Sequence, residues 1–155
     1  DSHASFGLDS GAAGIASAAC PAGIYGGLMN SEEKRALIEG YLQAYNNFDL
    51  DGMLALLHPN IQFRNIAGGE VTAETSGIMA LRHLAEHSRD LFSFRKQTLT
   101  RFALHNNQAL IEVDFEAVLA ADLPNGMKKG ETLRLTGRSE FTFHDGKINR
   151  ITDIS

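Results

Sequence analysis

The chain has 155 residues, 43% hydrophobic and 21% charged, with a formal net charge of −5, the make-up of one globular domain. No basic cluster gives it the electrostatic footprint of a nucleic-acid binder, and no apolar run approaches the ~18 residues of a bilayer span. The single cysteine, Cys20, cannot close an internal disulfide, so the expectation is a cytoplasmic protein with neither nucleic acid nor membrane as partner.

Residues 1–28 carry no Lys or Arg and are rich in Gly, Ala and Ser. They are expected to be an extension, a leader or non-native, ahead of a single domain at 29–155. Asn30 or Ser31 is then placed to cap a helix over 32–48, with Glu32 and Glu33 in its first turn. Leu37, Ile38, Tyr41, Leu42, Tyr45 and Phe48 recur at gaps of three and four and draw one apolar stripe. Two tyrosines on such a stripe need hydrogen-bond partners once buried, so the helix either fills a core or lines a cavity. Asp49 or Asp51 caps a short helix at 52–57, which Pro59 ends, with His58 at its C-terminus, where a positive charge is favoured.

Residues 60–66 alternate as a strand, 67–70 form a loop, and a third helix runs from Thr75 or Ser76 to about Leu91. That helix carries His83-Leu84-Ala85-Glu86-His87, the H-x-x-E-H pattern of inverted zinc proteases. Five residues match such a pattern by chance, and no later helix offers a third ligand, so no metal is expected. From residue 94 the pattern turns to strands at 94–104, 109–120, 131–143 and 147–154. Turns fall at His105-Asn106-Asn107, Leu123-Pro124-Asn125-Gly126 and Asp145-Gly146. Glu112, Asp114 and Glu116 lie on a strand expected to pair with the one bearing Arg134 and Arg138, opposite charges across a polar sheet face. Helices first and an antiparallel meander after make the fold class α+β.

Two stretches resemble a known family. The run Gly40-Tyr41-Leu42-Gln43-Ala44-Tyr45, continuing through Asp49-Leu50-Asp51-Gly52 to His58-Pro59, is similar to the first helix, aspartate–x–aspartate corner and second helix of the SnoaL-like, ketosteroid isomerase-like branch of the nuclear transport factor 2-like superfamily. Phe141-Thr142-Phe143-His144-Asp145-Gly146-Lys147, continuing to Ile151-Thr152-Asp153, resembles its closing hairpin. The resemblance implies a cone-shaped, curved, mostly antiparallel sheet wrapped around the long N-terminal helix, with a pocket for a hydrophobic small molecule at its open end. It also implies a homodimer through the outer sheet face. Members include polyketide cyclases, ketosteroid isomerases, scytalone dehydratases and epoxide hydrolases, and others only bind, so chemistry must be argued from pocket residues.

By that resemblance Tyr41 matches the tyrosine that donates to a developing oxyanion in ketosteroid isomerases. Their general-base aspartate falls on Asn65 and their protonated aspartate on Ser139, and an amide cannot abstract a proton. SnoaL-type cyclases carry an aspartate on the closing strand, and Asp153 matches it. The expected catalytic set is therefore Asp153 as base with Tyr41 and Asn65 holding the enolate oxygen, and the expected lining is Tyr45, Phe63, His87, Phe115, Ser139 and Ile151. No cofactor is required. The plainer alternatives are a core Tyr45, an Asn65 that bonds the chain where its strand ends, a surface Asp153, and a non-catalytic binding or interaction module.

Overall fold

A computed structural model describes residues 29–155, and the reading of residues 1–28 lies outside the described residues. Helix α1 (Ser31–Asn46) opens on a capping box, in which the Asn30 side chain accepts from the Glu33 N–H and the Glu33 carboxylate accepts from the Asn30 N–H, both at 2.8 Å. Two backbone donors with no partner inside the helix are thereby satisfied. The expected stripe is buried from Leu37 to Tyr45, and Phe48 follows it in a left-handed conformation with φ 57°.

Asp49 caps α2 (Leu50–Leu54), accepting from the Gly52 N–H at 3.0 Å. This helix begins and ends earlier than expected, because β1 (Leu57–Ala67) has already started where Pro59 was read as a helix stop. Pro59 sits inside β1 where its register with β6 (Lys147–Ile154) breaks, between Leu57 and Gln62. A residue without an N–H costs no ladder bond there. His58 is accordingly a strand residue and not a helix cap.

A strand that the sequence pattern conceals follows. Strand β2 (Glu70–Ser76) pairs antiparallel with β1 and occupies a sheet edge, in place of the expected loop end and helix start. Helix α3 (Ile78–Arg89) begins after Gly77, whose φ of 90° suits glycine. Strands β3 (Phe92–His105), β4 (Gln108–Leu119), β5 (Thr132–His144) and β6 form the antiparallel meander.

The six strands make one curved, open sheet in the order β2-β1-β6-β5-β4-β3, antiparallel except for the β1–β6 pair. Helix α1 crosses its inner face diagonally. Lys34 Nζ lies 5.6 Å from the Phe143 ring, Tyr41 meets Phe141 edge-on at 5.9 Å, and Tyr45 meets Phe115 at 6.1 Å. At the helix end Asn46 reaches β3: its Nδ2 donates to the Gln97 carbonyl at 3.1 Å and its Oδ1 accepts from the Gln97 N–H at 2.7 Å. On the outer face Glu116 opposes Arg134 at 3.0 Å, as the strand parity predicts, and Glu112 is paired in register with Arg138. Such exposed pairs contribute at most about 1 kcal/mol.

Candidate functional site

Strand register brings three polar residues into one inward-facing row. Asn65 on β1 pairs with Asp153 on β6, and Asp153 pairs with Ser139 on β5. All three are buried, Asp153 at 1% exposure. Alternation puts them there: Phe63 and Ile151 share their parity, as does Phe141, and each is packed in the core. Ser139 Oγ donates to Asp153 Oδ1 at 2.6 Å. Asn65 Nδ2 donates to Thr72 Oγ1 at 2.7 Å, so the unforeseen β2 supplies its partner.

Two acceptors in this row, Asp153 Oδ2 and Asn65 Oδ1, are buried with no donor among the described residues. A carboxylate in that position has lost water and gained a single hydrogen bond, so its proton is held tightly. Burial raises the Asp153 pKa to about 8, with the Ser139 bond offsetting part of the rise. A protonated Asp153 also converts an orphaned acceptor into a donor. Tyr41 is close enough for the Asp153 charge to act on it. Its pKa is pushed well above 10, first by burial and then by that charge, so it stays a phenol and a donor. Tyr45, one helical turn on, is raised by burial, then by Tyr41 and Asp153.

Of the residues expected to line the site, Tyr45, Phe63, Phe115, Ser139 and Ile151 are buried on the inner side. His87 lies apart from them. It is exposed on α3, as is His83, because the buried face of that helix runs through Leu81, Ala85 and Ser88. The H-x-x-E-H pattern therefore faces solvent. A different imidazole group does gather: His58, His144 and Asp145 bring potential ligand atoms within 4.8 Å of one another. His58 Nδ1 already accepts the Asn60 N–H at 3.0 Å. That bond occupies Nδ1 and leaves Nε2, 3.9 Å from Asp145 Oδ2, as the ring nitrogen that faces the acidic group.

Two inward polar residues on β3 escaped the sequence reading. The Arg95 guanidinium is sandwiched between the Tyr45 and Phe48 rings at 4.0 and 4.1 Å, and its Nε donates to the Tyr45 carbonyl at 2.8 Å. Burial lowers its pKa to about 8. Gln97, two residues on, is buried with both side-chain amide atoms lacking a hydrogen bond. A strand reading Arg-Lys-Gln-Thr gives no hint that one parity faces inward.

The family model for the SnoaL-like domain matches residues 38–151. The chain belongs to the SnoaL-like domain family. Among solved structures, this SnoaL-like domain is similar to a candidate polyketide cyclase from Xanthomonas campestris (TM-score 0.69, 21% identity, 82% of this chain and 93% of that one). It is also similar to AclR, a candidate hydroxylase from Streptomyces galilaeus (TM-score 0.65, 17% identity, 80% and 89%). A third is TerC, co-crystallised with polyporic acid (TM-score 0.60, 19% identity, 79% and 88%). At these identities the likeness is one of fold. No curated protein matches the chain. The expected cone-type α+β architecture is thus the observed one. No helix among the described residues is long and apolar enough to cross a membrane.

Proposed function

We propose that this SnoaL-like domain binds a hydrophobic, carbonyl-bearing small molecule against the inner face of its sheet and transfers a proton at the carbon next to the carbonyl. Asp153 is the proton-transfer group. One observation carries the reading: a carboxyl group buried at 1% exposure, held by Ser139 through Oδ1 and leaving Oδ2 unpaired. A buried carboxyl with its pKa raised to about 8 is what abstraction from a carbon acid requires, since a base of ordinary acidity is too weak. Tyr41 supplies a phenol donor for the enolate oxygen, worth ~3–4 kcal/mol in measured cases, and Asn65 can add only the second hydrogen of an Nδ2 that already donates to Thr72. Polyketide cyclases and a polyporic acid complex among structures of the same fold are in keeping with this ligand class.

The chemistry is checked without knowing the natural substrate. With 2-acetylnaphthalene in D2O, the wild-type chain should catalyse deuterium incorporation at the acetyl methyl group, and Asp153→Asn should not. Equal incorporation by the variant removes Asp153 from the role. If the wild type binds this ketone without exchange, the domain is a non-catalytic binding module.

The outer face supports a second part of the reading, a homodimer. A shallow depression of about 680 Å³ crosses β3, β4 and β5, flanked by alternating charges such as Glu116 and Arg134, and Phe94 is 44% exposed. Alternating charges on one patch can complement the same patch on a two-fold-related copy. A Glu116→Arg, Glu112→Arg double variant should be monomeric in light scattering where the wild type is dimeric.

A further inference from the structure

The interior of the sheet has a second polar pole. Gln97 projects inward from β3, opposite Phe115, and is 3% exposed. Its backbone is fully engaged, because Asn46 clamps both its N–H and its carbonyl. Its side-chain Nε2 and Oε1 are both buried without a hydrogen bond among the described residues. A protein that uses one residue to fix the backbone of another, and leaves that residue's amide with nothing to bond, has placed a rigid, unsatisfied recognition group. Burying an amide unpaired costs stability, so a leucine of similar volume would serve a purely structural position better.

The pole is offset from Asp153 in two directions. Across the sheet, Gln97 and Asp153 lie on β3 and β6, three strand spacings or about 14 Å apart when flat and less across the curve. Along the strands, Phe115 beside Gln97 and Ile111 in the Asp153 row are four residues apart on β4, about 13 Å. Between the Gln97–Phe115–Leu135 row and the Ile111–Ser139–Asp153 row lies the pair Val113–Gly137, in which glycine contributes no side chain.

We infer that Gln97 recognises the end of the ligand remote from the reacting carbonyl, and that this end carries a donor and an acceptor side by side. A carboxylic acid, a carboxamide or an enolised β-diketone has that character. The amide Nε2 donates to the ligand oxygen while Oε1 accepts the adjacent O–H or N–H. The ligand is then elongated and apolar in its middle, with a carbonyl at the Asp153 end. This rests on the proposed function, since it assumes a ligand on the inner face.

The experiment compares 6-acetyl-2-naphthamide with 2-acetylnaphthalene, which lacks the second polar group, by titration calorimetry on the full chain. The wild type should bind the amide 10- to 100-fold more tightly. In Gln97→Leu the ratio should fall to about one while Tm rises, because two unsatisfied atoms are gone. Gln97→Met serves if the leucine variant does not fold. A ratio of one in the wild type, or a preference that survives in the variant, overturns the inference alone. Either outcome means that Gln97 does not read that end of the ligand. If neither probe binds the wild type, the proposed function falls with it.

Discussion

Ser139 Oγ donates to Asp153 Oδ1 at 2.6 Å between paired positions of β5 and β6. Among the described residues it is the one side-chain bond to that carboxyl group, and it pulls the pKa of Asp153 down while burial pushes it up. Replacing Ser139 with Ala should raise that pKa further and leave Oδ1 without a donor. The expected cost is about 1–3 kcal/mol in urea unfolding at neutral pH. The pH midpoint of any Asp153-dependent rate should move upward.

Asp153 also makes stability depend on pH with a definite sign. Its folded pKa of about 8 lies above the ordinary carboxyl value of 3.8, so the folded state holds a proton that the unfolded state releases. The contribution is fully present below pH 4 and is lost as pH rises through about 8. Over that window its slope is about 1.4 kcal/mol per pH unit. Asp153→Asn keeps an acceptor for Ser139 and never ionises. Denaturation of both proteins at pH 5, 7 and 9 should show the variant gaining on the wild type as pH rises.

A rate that uses ionised Asp153 as base should climb with pH and level off above about 8, the value for the free protein. A rate that falls through the same region would assign Asp153 as the acid instead. Tyr41→Phe should preserve the edge contact with Phe141 and the fold, but slow exchange by about 100- to 1000-fold, as losing one oxyanion donor does.

Arg95 holds the end of α1 in place. Its guanidinium stacks between Tyr45 and Phe48, and Phe48 has a backbone that a bulky residue adopts only when its surroundings compensate. Lysine keeps the charge and loses the flat stacking face. Arg95→Lys should lower stability by about 2 kcal/mol, whereas Arg101→Lys, at an exposed outer position, should change it by less than about 0.5 kcal/mol. Urea unfolding distinguishes them.

Much of this arrangement was legible in the residues because periodicity reports burial. The α1 stripe, the alternation of β4 and β5, and the hairpin at Asp145-Gly146 all announce which side faces in, and the inward placement of Asp153 follows from sharing parity with Ile151. Where burial gives no alternation the signal fails. Strand β2 is exposed along most of its length, so Glu70 to Ser76 looks like a loop and helix cap. His87 was expected in the pocket lining, and it is exposed on α3, whose buried face runs through Leu81 and Ala85 as its apolar spacing implies. Arg95 and Gln97 were invisible for a related reason: the aromatic rings that shelter the arginine belong to α1 and its following turn, some fifty residues earlier, and local sequence holds no trace of that meeting.

The protonation state of Asp153 is the claim on which the rest depends. Selective ¹³Cγ-aspartate labelling, with the Asp153 signal assigned by its loss in Asp153→Asn, follows that carboxyl group directly by NMR between pH 4 and 10. A midpoint near 8 is the predicted result. A signal that titrates near 4, as an exposed aspartate does, would contradict the account.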